Sequence, residues 1–163
     1  MMNAYDNFYE GLNDKRNILY RQMDTVSMMN RLLSTLCSEI NNLKNYRINL
    51  KGENSWLLKN KIESIIKKIY SYEEELQKII KIKNGFPVYQ LNDIENISLI
   101  KTLASMDYKP SMVINNIIKE FNILKNLINE TIDNANKEND YYSIDILSKM
   151  LYEVNIILVD YQL

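Results

Sequence analysis

Three glycines and two prolines in 163 residues leave this chain little material for tight turns. That scarcity argues for a few long helices. Hydrophobic spacing says where they run. Leu19, Val26, Met29, Leu33, Leu36, Ile40 and Leu43 recur at heptad-like steps and predict a first helix from about residue 13, or earlier, to about 49. Gly52 breaks the pattern, and Asn54 or Ser55 can cap a second helix. Leu58, Ile62, Ile65, Ile69, Tyr72, Leu76 and Ile79 carry that helix to about residue 83, where Asn84, Gly85 and Pro87 form a stop.

Residues 88–109 are too long for a hairpin connection, and QLNDIENISLIKTLA within them predicts a short helix of its own. Pro110 and Ser111 open a third long helix, with Val113, Ile117, Phe121, Leu124, Ile128, Ile132 and Ala135 on one face. Asn139 can end it and Asp140 can cap the last helix, whose stripe is Ile144, Leu147, Leu151, Val154, Leu158 and Tyr161. Hydrophobic residues at 46% and charged ones at 25% are globular proportions, and residues 1–163 read as one domain. Two helices, one long crossover carrying a short extra helix, then two more helices is the layout of an all-α, ferritin-like four-helix bundle.

The absence of histidine narrows the chemistry. Ser-His and Cys-His nucleophile pairs are excluded, as are most zinc and iron sites, so carboxylate-only chemistry remains. One cysteine, Cys37, forms no internal disulfide, and its neighbours predict a small buried side chain. The net charge of -1 gives no global pull toward nucleic acid or lipid. No apolar run reaches the ~18 residues of a membrane span. The N-terminus shows neither a signal-peptide pattern nor a lysine-rich tail, so the expectation is a cytoplasmic protein that does not bind DNA through that tail.

The stretch YRINLKGENSWLLK, from Tyr46 to Lys59, resembles the signature of the Dps family, ferritin-like miniferritins named for DNA-binding protein from starved cells. That signature reads Y-H-W-N-V-K-G, two to four residues, then a hydrophobic pair and L-H. Asn49, Lys51, Gly52 and Leu58 match it without a gap. The family's D-E-x-A-E-R run falls on Glu74 to Ile79, and its G-G-x-P turn on Asn84 to Pro87. Its G-D-x-x-T-A-D-L-L resembles Asn139 to Leu147.

The resemblance implies a closed dodecamer of two-fold dimers and, ordinarily, iron storage under oxidative stress. In that family two histidines of one subunit face an aspartate and a glutamate of its neighbour, and iron is oxidised between them. Residue by residue, the histidines fall on Arg47 and Lys59, the aspartate on Glu74 and the glutamate on Lys78. These four sum to about +2 where the family's set is about -2, and neither guanidinium nor ammonium offers a lone pair to a metal. The expectation is a shell protein that has lost its ferroxidase centre, holds no metal cofactor, and acts as a structural or binding cage, alone or co-assembled with an active relative. Arg47, Lys59, Glu74 and Lys78 become interface ion pairs, with Glu74 bridging to Arg47 or Lys59 of a two-fold partner. On an isolated helix Glu74 and Lys78 are simply an i, i+4 pair. Glu130, Asp133, Glu138 and Asp140 are candidates for an acidic pore. The alternatives are iron storage through other carboxylates, or DNA compaction by an outer surface.

Overall fold

In the computed structural model, which describes residues 24–162, the first helix, α1, is Thr25–Asn49. Asp24 starts it: its carboxylate accepts from Ser27 N at 2.7 Å, from an extended backbone at φ −71°, ψ 166°. A side chain that satisfies an orphan amide of the first turn marks the start of a helix, so α1 begins at Thr25. Leu19 and the rest of 13–23 lie outside the described residues. Four more helices complete the described chain: α2 Ser55–Ile82, α3 Leu91–Ile97, α4 Pro110–Lys137 and α5 Tyr141–Gln162. α1 packs on α2 and α4, α4 on α5, and α3 lies along α1.

Each long helix buries most of the stripe that its sequence predicts, while Val26, Leu58, Tyr72, Ile132 and Tyr161 are only partly buried against the core. Met28, Leu32 and Tyr46 join α1's buried face. In α5, Met150 and Ile157 are buried, whereas Ile144 and Leu151 sit at the margin. The 3.6-residue period lets either neighbour of a stripe turn inward, and packing against α4 decides which.

Where a glycine would be expected at helix ends, the chain uses asparagine. Asn54, Asn84 and Asn139 are left-handed at φ 59°, 60° and 55°, a region that asparagine tolerates better than most residues. Asn54 occupies the N-cap position of α2 but its side chain makes no capping bond, because that bond needs an extended backbone. Gly52, at φ +134°, does require glycine. Gly85 is required by space. A Cβ there would lie 2.6 Å from Val26 Cγ1 and 3.1 Å from the Ile80 carbonyl oxygen. Gly85→Ala is therefore expected to cost ~1–3 kcal/mol, read as a lowered denaturation midpoint; an unchanged midpoint would show that the Val26 contact yields freely.

The crossover is stitched to α1 by polar side chains spaced along that helix. Asn30 donates to the Phe86 carbonyl at 3.0 Å and accepts from Val88 N at 2.9 Å. Thr35 Oγ1 accepts from Leu99 N at 3.1 Å. Asn42 accepts from Leu103 N and donates to the Lys101 carbonyl, both at 2.9 Å. Asn45 donates to the Leu103 and Ala104 carbonyls at 3.1 Å. At the far end Leu50 and Tyr108 form a two-residue parallel bridge. These bonds satisfy backbone groups that have no helix to satisfy them. The connection's apolar residues divide accordingly: Ile100 is buried, Val88 and Leu99 pack on the core, and Leu91 stays 82% exposed.

Candidate functional site

Arg47 lies in the last turn of α1 and Lys59 in the first turns of α2, on either side of the Gly52 turn. The Arg47 guanidinium forms an ion pair with Glu63, one helical turn beyond Lys59, with both side chains about one-third exposed (35% and 36%). Lys67 reaches the other Glu63 oxygen at 4.0 Å. The family resemblance gives Arg47 a partner on another subunit; within the chain it already has one. Two antiparallel helices that meet at a short turn bring such positions together although they are distant in sequence. Among the described residues Lys59 makes no ion pair.

Glu74 and Lys78 are exposed, and Lys78 pairs at 3.3 Å with Glu75, not Glu74. An i, i+3 partner on the same helix wins over the i, i+4 one. Fifteen residues of helix separate Lys59 from Glu74, ~22 Å along the axis. One chain therefore gathers Arg47, Lys59 and Glu63 at one end of α2 and leaves Glu74 and Lys78 facing out further along it. With Glu63 counted, the charge at the Arg47 end is about +1.

The four candidate pore residues separate into two kinds. Asp140 caps α5, accepting from Ser143 N at 3.2 Å, and pairs with Lys83 at 2.7 Å. Glu138 accepts from Thr25 N at 2.9 Å and pairs with Lys83 at 3.5 Å. Both tie the start of α1, the end of α2 and the α4–α5 turn together. Burial alone would raise the Asp140 carboxyl, but bonds from Lys83 and Ser143 hold it below its ordinary value of 3.8. Glu130 and Asp133 remain exposed on α4.

A second acidic group, which hydrophobic spacing does not point to, lies inside the bundle. Glu39 of α1 is fully buried and Glu120 of α4 is 8% exposed. They face one another, and burial first, then each other's charge and contact, raises Glu39 well above the ordinary carboxylate range. Glu120 is raised as well by burial, although it accepts hydrogen bonds from Asn42 Nδ2 at 2.9 Å and Tyr46 Oη at 2.9 and 3.1 Å. The Tyr46 phenol is pushed up by burial and by Glu120's charge. Both residues occupy interior helical positions: Glu39 sits three after Leu36 and four before Leu43, and Glu120 three after Ile117 and four before Leu124. A carboxylate at a core position was the available signal, and hydrophobic-stripe reasoning passes over it.

Cys37 is half-buried and donates to Glu73 on α2; burial and that partner push its thiol up, which makes it a poor nucleophile. Among the described residues no group of three or more His, Cys, Asp or Glu is placed to hold a metal, and no helix is long and apolar enough to cross a membrane.

The family model for ferritins, described as a ferritin-like domain, matches residues 26–155. Among solved structures, the chain is similar to Dps from Staphylococcus aureus, with 22% identity, a TM-score of 0.81, and 85% of this chain and 92% of that one covered. A Dps protein from Bacillus brevis has 17% identity and a TM-score of 0.82, covering 88% and 95%. The Dps protein of Vibrio cholerae O1, a member of a broad superfamily of ferritin-like diiron-carboxylate proteins, has 17% identity and a TM-score of 0.81, covering 88% and 89%. No curated protein matches the sequence.

Proposed function

This chain belongs to the ferritin-like family, and on that premise we propose that it is a Dps-type shell protein whose interfacial iron-oxidising centre has been replaced by fixed charge. The carrying observation is the Arg47–Glu63 ion pair: a permanent cation and its carboxylate occupy the end of α2 where the family resemblance puts a metal. The residues there do not fit iron, because Arg47, Lys59 and Lys78 supply no lone pair and repel a divalent cation. The role left is assembly, as a cage or as a co-assembling subunit, in the cytoplasm.

The experiment has two arms. Light scattering is expected to give a dodecamer of 19.3-kDa chains, about 230 kDa, and aerobic Fe(II) is expected to oxidise no faster than in buffer. A stable monomer at micromolar concentration overturns the assembly, and saturable oxygen uptake overturns the loss of the centre. On this reading Glu74 meets Lys59 of a two-fold partner. Because Glu63 already neutralises Arg47, and Glu74 is exposed in the chain, Glu74→Gln is expected to cost under ~1 kcal/mol, seen as a small, salt-screened fall in melting temperature. A drop of several kcal/mol would show a buried interfacial bridge instead.

A further inference from the structure

We propose that Glu39 and Glu120 hold one proton between them, that Glu39 carries it, and that it makes the bundle a pH-sensitive fold, strongest in acid. The proposal stands on the pair itself and not on the reading of the interface.

The assignment comes from which donors reach which carboxyl group. Glu120 accepts from Asn42 and Tyr46, with the phenol within 3.1 Å of both oxygens. A carboxylate is acceptor-only, so this is the environment of the ionised member. Glu39 is fully buried, and neither of its oxygens has a hydrogen-bond partner. An ionised carboxylate in that position would have no donor at all, at a high desolvation penalty. Protonated, it has one obvious use for its hydrogen: donation to the Glu120 oxygen that it faces.

Among the described residues no cation bears on the pair. The titratable and charged groups that bear on Glu39 and Glu120 are each other and Tyr46. From α1 come Asn42 and Tyr46, and from α4 Asn116, which hydrogen-bonds the Tyr46 phenol. From the crossover comes Tyr108, edge-on to Tyr46 with ring centres 5.0 Å apart. The buried residues of α2 are all isoleucine or leucine, and none of those of α5 is ionisable. Asn116 also lines a solvent-open cleft of about 540 Å³ with Lys109, Ser111, Met112 and Lys119. Asn116 and Tyr46 therefore connect solvent to Glu120, the path by which the proton equilibrates.

Both carboxyl groups have raised affinity for the proton, so folding takes one up. The stabilisation is complete below the ordinary carboxyl value of 4.5 and is lost as pH rises toward the folded value. The test is urea denaturation of the full chain across about pH 5 to 8 for the native protein, Glu39→Gln and Glu120→Gln. The native folding constant is expected to fall about tenfold per pH unit relative to Glu39→Gln, one proton's linkage. Glu39→Gln, whose amide repeats the donated bond, should be the more stable protein at neutral pH. Glu120→Gln should be weaker than Glu39→Gln, since it leaves the charge on the carboxylate with fewer donors. Infrared spectra should show a protonated carboxyl band at neutral pH that Glu39→Gln removes. A flat native profile without that band overturns the shared proton, whether a bound cation takes its place or not. Equal stability of the two variants overturns its assignment to Glu39.

Discussion

Fe(II) oxidation by the triple variant Arg47→His, Lys59→His, Lys78→Glu is expected to exceed the uncatalysed rate by at least about tenfold, ~1.4 kcal/mol of barrier. The native chain should stay at that rate. The substitutions turn the charge of the four aligned positions from about +2 to about -2 and put two imidazole lone pairs where two cations stood. Removing the guanidinium also frees Glu63 from its ion pair, which adds a carboxylate near the new histidines. Glu74 already carries a carboxylate and already faces outward, so the partner's half of the site needs only Lys78→Glu. The control is Arg47→His, Lys59→His alone, in which the ammonium of Lys78 still opposes iron at the partner's half. Oxygen uptake that saturates with Fe(II) in the triple variant and not in the control is the expected pattern. A triple variant that assembles normally and oxidises iron no faster than buffer would mean that these four positions do not meet across a two-fold axis, and the proposed shell geometry would fail with it.

Asp140→Ala should cost about 2–4 kcal/mol, the larger part of a helix cap and an ion pair together. Asp140 is 14% exposed and Lys83 24% exposed in their side chains, so neither charge is fully returned to water when the other is lost. Asp140→Asn, which keeps an oxygen for Ser143 N, should cost less than half as much, and the difference isolates the charge. Because the Asp140 carboxyl is held below 3.8 by its partners, its contribution is present above that value and declines as pH falls through the folded one. Burial would lower the Lys83 ammonium, but Asp140 and then Glu138 outweigh it and raise that group. Lys83 therefore contributes below its ordinary 10.5 and loses that contribution in strong alkali. Equal denaturation midpoints for Asp140→Ala and the native chain at neutral pH would show the three helix ends to be held by packing alone.

The four long helices were legible because each buries a continuous apolar stripe, and their corners because Gly52, Asn84, Gly85, Pro87 and Pro110 punctuate them. The beginning of α1 was not legible, since apolar residues continue at helical spacing on both sides of Asp24 and only the geometry at Ser27 N shows the cap. In α5, Ile144 and Leu151 compete with Met150 and Ile157 for one face, and the sequence cannot rank neighbours of equal hydrophobicity. The site was half legible. Arg47 stood out as a charge near an apolar stripe, but its partner Glu63 lies across a turn. No one-dimensional spacing rule connects α1 to α2. Glu39 and Glu120 come from helices separated by the whole crossover, so each reads alone as a stray acid, and only their meeting makes chemistry of them.

The rungs that Asn30, Thr35, Asn42 and Asn45 extend to the crossover have a consequence for how the molecule opens. The amides of Val88, Leu99 and Leu103 are held by side chains of α1 rather than by neighbours in their own segment. They can exchange with deuterated solvent only when the crossover lifts from α1 or when α1 itself unwinds. A connection this long would ordinarily open by itself and label within the first moments. Here one of the rungs, Asn42, also grips Glu120 in the core, so lifting the strap disturbs the interior carboxylates. The Leu103 amide should therefore label with the slow class, together with α1, while the Val88 amide, bound by the more exposed Asn30, labels ahead of it.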